Sequence, residues 1–133
     1  MANLSIETLK NLSSQMHLEQ AEETGCPKID GREELPGMVH PAKLPNGKSI
    51  KLLKTLLTTA CEKNCYYCQF RAGRDFRRAT MKPDEMAVTF MNMHQAGIVE
   101  GLFLSSGIIG GGLKTQDKLI ATAEILRKKY QYQ

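Results

Sequence analysis

Apolar residues recur at helical spacing in three stretches of the chain and form compact runs in two others. Near the N-terminus Leu9, Leu12 and Met16 lie about one turn apart, and Ala21 continues the stripe. This predicts a helix over residues 3–23, with Asn3 or Ser5 as its cap. Residues 25–48 hold Gly25, Pro27, Gly31, Pro36, Gly37, Pro41, Pro45 and Gly47. Such density interrupts regular structure and predicts an ordered but irregular arm. The run SIKLLKTLLTTA, residues 49–60, carries Ile50, Leu52, Leu53, Leu56 and Leu57. It reads as a buried strand, with a helix as the alternative because its leucines are not β-branched.

A helix is predicted over residues 81–97. Pro83 suits its first turn, Asp84 and Glu85 face the positive end of its dipole, and Gly97 stops it. Met86, Phe90 and Met93 form its apolar face, with Ala87 and Met91 beside them. VEGLFLSSG, residues 99–107, is a second short strand, followed by a turn with Gly107, Gly110, Gly111 and Gly112. A last helix is expected over residues 115–130, with Leu119, Ala123, Leu126 and Tyr130 as its stripe and Arg127, Lys128 and Lys129 at its negative end. Helix, arm, then strand–helix–strand–helix implies an α/β fold with a parallel sheet and right-handed crossovers. Residues 1–48 form the N-terminal helix and arm, and residues 49–133 the core.

Composition adds little to this picture. The chain has 133 residues and a net charge of +4, which permits an anionic partner without demanding one. No apolar run approaches the length of a membrane span, and the first residues lack a signal-peptide pattern. The expectation is a cytoplasmic protein with no membrane partner. His17 is expected on the surface of the first helix, and His94 near the end of its helix is expected to serve the dipole.

The cysteines change the picture through their spacing. Of four, three fall in CEKNCYYC: Cys61, Cys65 and Cys68, at the predicted C-terminal end of a strand. Three thiolates this close can each ligate one iron of a [4Fe–4S] cubane, leaving a fourth iron open to a substrate or cofactor. The alternative is a structural zinc site with Cys26 or His40 as fourth ligand. That would make the chain a non-catalytic module, contacting nucleic acid through its arginine loop.

The Cys61-x3-Cys65-x2-Cys68 pattern after a buried strand, with aromatic Tyr67 before Cys68, resembles the signature of the radical S-adenosylmethionine (radical SAM) superfamily. More narrowly, SIKLLKTLLTTACEKNCYYC, RRATMKPDEMA and IVEGLFLSSGI resemble a subgroup described as DNA modification or repair radical SAM proteins. The resemblance implies the N-terminal (βα)2 portion of a partial TIM-type barrel, continued beyond Gln133 or completed by a partner. It implies a [4Fe–4S] cluster on Cys61, Cys65 and Cys68. It further implies S-adenosylmethionine, cleaved to a 5′-deoxyadenosyl radical, and a reductant of flavodoxin or ferredoxin type. Tyr67 would lie against the adenine, with Ser105, Ser106 and Gly107 near the methionine moiety. Here the family's Gly-Gly-Glu-like motif is replaced by LSSG, so hydroxyls and carbonyls stand where an acid is usual. The resemblance assigns no hydrogen-abstraction partner or general base, and the chain alone is expected to bind the cluster rather than turn over.

The loop QFRAGRDFRRATMK carries Arg71, Arg74, Arg77, Arg78 and Lys82 with interleaved Phe70 and Phe76. Arginines among aromatics suit phosphate contact and base stacking, though a solvated loop shielding the site is the plainer reading. Gly110–Gly112 match no phosphate-loop spacing and read as a connection.

Overall fold

The computed structural model describes residues 2–14 and 38–133. His17, Cys26 and the second half of the expected first helix lie outside the described residues. Among the described residues, three helices and a three-stranded sheet make a mixed α/β fold. They follow in the order α1 (Ala2–Ser14), β1 (Val39–Lys43), β2 (Ser49–Leu56), α2 (Pro83–Gln95), β3 (Gly101–Ser105) and α3 (Gly112–Lys128). The sheet order is β1-β2-β3, with β1 antiparallel and β3 parallel to β2.

The parallel pair matches the expected strand–helix–strand unit. β2 and β3 run in register from Leu52 opposite Gly101 to Leu56 opposite Ser105. A Cβ on Gly101 would stand only 2.6 Å from the Leu52 side chain, so the strands close tightly there because that side chain is absent. One face of β2 buries Leu53, Thr55 and Leu57. The other buries Leu56 and Lys54, which is 5% exposed and holds its Nζ 5.5 Å from the centre of the Phe103 ring.

β1 corrects the expectation of an irregular arm over residues 38–48; residues 25–37 of that arm lie outside the described residues. Val39–Lys43 pairs with β2, and Pro41 is tolerated because β1 is an edge strand. The hairpin turns at Asn46-Gly47. Gly47 adopts φ +81°, its N–H donates to Leu44 O, and Asn46 Oδ1 accepts from Lys48 N. Asn-Gly between two extended runs is a hairpin signal, and the surrounding prolines masked it.

α2 follows its pattern closely. Pro83 opens it, the Glu85 carboxylate accepts from the Lys82 N–H, and Gly97 in the left-handed region ends it. Met86, Ala87, Thr89, Phe90, Met91 and Met93 are buried, and α1 adds Leu9 and Leu12 to the same core. α3 keeps its predicted stripe at Leu119, Leu126 and Tyr130, which pack in or against the core, but not at Ala123. It begins at Gly112, and Thr115, Thr122 and Leu126 are its buried residues, while Leu119 and Tyr130 are half-buried and Ala123 is exposed. Each buried threonine returns its hydroxyl to the carbonyl four residues back, Gly111 or Lys118, so a polar residue can sit in the core without an unmet hydrogen bond. Hydropathy alone therefore found the apolar part of the inward face and missed the two threonines on it. Among the described residues no helix is long and apolar enough to cross a membrane.

The N-terminal pole of the parallel pair is tied by the chain's last residues. The Tyr132 ring packs edge-on against Phe90 and His94, at 5.0 and 5.2 Å between centres, and its hydroxyl donates to Glu100 O at 2.6 Å. His94, in the last turn of α2, lies over Phe90 with Nδ1 3.0 Å from Val99 O, so its ring bonds to that carbonyl. Burial, and then the charge of Glu100, push the Tyr132 phenol above its ordinary range. A raised value in the folded chain means that this contribution to stability is complete below about pH 10 and is lost as pH rises through the folded value. Denaturant midpoints measured between about pH 8 and pH 11 should fall more steeply for the native chain than for Tyr132→Phe. Equal slopes would remove Tyr132 from the account of this pole.

Candidate metal centre

The C-terminal ends of β2 and β3 lie at one edge of the sheet, and there the chain continues its pairing beyond the strands. Leu57 N donates to Ser105 O, Gly107 N to Thr58 O, both at 2.8 Å, and Glu62 N to Ile108 O at 2.6 Å. Cys61 is therefore carried past Gly107 and Ile108 on a shared backbone seam. Gly107 makes that seam feasible. A Cβ there would drive into the carbonyl oxygen of Ala60 and come within 3.2 Å of that of Thr58.

The loop from Ala60 to Arg78 leaves and returns through a threonine clasp. Thr58 forms a bridge with Thr80, their hydroxyls 2.7 Å apart. Thr59 N donates to Ala79 O, the Thr59 hydroxyl accepts from Ala79 N, and Met81 N donates to Leu57 O. Within the loop, Asn64 Oδ1 accepts from Gly73 N at 3.1 Å and from the Arg71 guanidinium at 3.3 Å, while Ala72 N donates to Lys63 O. Cys68 N donates to Cys65 O at 2.9 Å, so the second and third cysteines stand at the two ends of one turn.

All three cysteines are free thiols. Cys65 is exposed, and Cys61 and Cys68 are partly covered, Cys68 packing at the margin of the core. Among the described residues no three His, Cys, Asp or Glu side chains are gathered closely enough to hold a metal ion. The donors nonetheless fit an iron–sulfur cluster in kind. They are three thiols on one loop, and the gathering of ligands is commonly coupled to metal binding itself. His40, on β1, is half-buried with its Nε2 unpartnered. It joins no such group.

The other expected site residues divide. Ser105 and Gly107 stand on the seam beside the Cys61 limb, and the Ser106 hydroxyl donates to Gly107 O at 2.8 Å. Tyr67 is 90% exposed at the loop tip, as is neighbouring Tyr66, whose ring faces the Arg71 guanidinium at 5.8 Å. Tyr67 is thus on the cysteine loop but not packed into a cleft. Arg74 and Arg77 are exposed, Arg74 bonding to the Gln69 side chain. Arg78 is a different case, because its guanidinium is spent on the loop's own carbonyls. Sequence reasoning missed this role, since a run of arginines gives no sign of which one turns inward. It also missed the threonine clasp, whose only sign was the run Thr58-Thr59 opposite Ala79-Thr80.

In comparison with known proteins, no family model, no curated protein and no solved structure matches the chain.

Gly107→Ala should destabilise the chain by about 1–3 kcal/mol, because the methyl must displace backbone rather than a flexible side chain. Ser106→Ala should stay within about 0.5 kcal/mol. Urea midpoints check both, and a neutral Gly107→Ala would contradict the seam.

Proposed function

We propose that this chain is the cluster- and S-adenosylmethionine-binding portion of a radical SAM enzyme, of partial-barrel type, with DNA as its substrate class. The observation that carries the proposal is the Cys61-x3-Cys65-x2-Cys68 run, with Tyr67 before the last cysteine, on the loop that leaves the C-terminal end of β2. In α/β folds that end of a parallel sheet is where ligands bind. When bound, the cluster would supply the electron that cleaves S-adenosylmethionine.

The part left to the chain is to bind and orient. Cys61, Cys65 and Cys68 act as thiolate ligands. The carbonyls and hydroxyls of Ser105 and Ser106 accept hydrogen bonds from the ammonium of S-adenosylmethionine, in place of the acid that the family usually carries. Gly107, by admitting the Ala60 carbonyl, holds this turn against the Cys61 limb. Tyr67 offers a ring face to the adenine. Arg74 and Arg77 are exposed arginines of the loop and support the choice of an anionic polymer as substrate.

Anaerobic reconstitution with iron and sulfide should give about four irons per chain, with broad visible absorption that Cys65→Ala loses. Cys26→Ser should load as the native chain does. One tightly held zinc, lost equally in Cys26→Ser and Cys61→Ser, would replace the enzyme by a structural zinc module.

A further inference from the structure

We infer that Arg78 is the positioning residue of the cysteine loop, a clamp on four backbone carbonyls that fixes the path of the chain through Cys61, Cys65 and Cys68 before any metal is present. Its purpose rests on the iron–sulfur reading above, while its geometry does not. Nη1 donates to Thr59 O and to Phe70 O, each at 2.6 Å. Nη2 donates to Arg71 O at 2.7 Å and to Arg74 O at 2.9 Å. The first acceptor precedes Cys61 and the other three follow Cys68, so one side chain ties the outgoing limb to the returning one.

The clamp is itself anchored. The guanidinium carbon lies 3.9 Å from the centre of the Phe76 ring, and Phe76 packs against Phe70, a buried member of the core. Four N–H groups aimed at four carbonyls need the planar fork of arginine. A lysine ammonium has three donors on one atom and cannot span both limbs. Hydrogen bonds from a charged donor are the stronger kind, and those to Thr59, Phe70 and Arg71 are half-buried. The chemical consequence is preorganisation. Three thiolates must be gathered on one short stretch of chain, and a backbone already held loses less freedom when they converge. The guanidinium also brings a fixed positive charge to a loop that must collect negative ones.

The test begins on the full chain without metal, comparing native, Arg78→Lys and Arg78→Ala by amide hydrogen exchange. The amides of Cys68, Ala72, Gly73 and Arg74 should exchange about tenfold faster or more in both variants, with those of α2 and β3 unchanged. Added guanidinium ion should restore part of the protection in Arg78→Ala, and Lys should not. The same variants should then take up cluster iron at a small fraction of the native level, with partial recovery in guanidinium. Unchanged loop exchange in both variants would overturn the inference. So would protection lost equally in α2 and β3, since Arg78 would then be a general folding residue. If loop protection falls as expected but the native chain takes up no iron, the clamp stands and the iron–sulfur reading fails.

Discussion

Parallel pairing of β2 with β3 is the constraint from which the rest follows. Two parallel neighbours cannot be joined by a tight turn, so the chain must leave the C-terminal end of β2, cross the sheet and re-enter at the N-terminal end of β3. The crossing is made by α2, whose buried face covers the sheet. What is left over at the exit is the cysteine loop, and it necessarily emerges beside the exit of β3. The seam from Leu57 to Ile108 extends that pairing beyond the strands, which is why Cys61 and the Ser105–Gly107 turn meet at all. The opposite pole, where Tyr132 bonds to Glu100 O, holds none of the described cysteines and reads as a place of stability rather than chemistry.

The loop itself is held from both sides largely by hydrogen bonds, beside the packing of Phe70 and Phe76. Thr58, Thr59 and Thr80 clasp its base with hydroxyls and backbone, Asn64 fixes its middle, and Arg78 bridges its limbs. Each satisfies carbonyls or amides that a loop would otherwise leave to water, and an arrangement of this kind can be well defined while its thiols stay accessible. That combination suits a ligand-gathering loop better than a buried structural one.

Much of this was legible in the residues. α2 announced its start at Pro83, its stop at Gly97 and its buried methionines, because periodicity over a long segment is a strong signal. The apolar runs gave β2 and β3, and their spacing gave the parallel connection. The cysteine spacing marked the candidate site. β1 was hidden because prolines dominate its surroundings, although Asn46-Gly47 was the sign of a hairpin. The face of α3 was legible at Leu119, Leu126 and Tyr130 but not at Thr115 and Thr122, whose self-satisfied hydroxyls let polar residues occupy core positions. Gly107 was noted as a candidate cofactor contact, whereas its tight approach to Ala60 depends on two segments far apart in sequence. The same holds for Arg78, whose acceptors are carbonyls that no side-chain pattern encodes.

The central claim is that Cys61, Cys65 and Cys68 hold a cluster with one iron open to S-adenosylmethionine. Electron paramagnetic resonance of the reconstituted, reduced chain tests it most directly. The account predicts the signal of a reduced [4Fe–4S] cluster whose g-values shift when S-adenosylmethionine is added. A cluster signal indifferent to S-adenosylmethionine would contradict the open iron, and no signal from a chain that retains zinc would contradict the cluster.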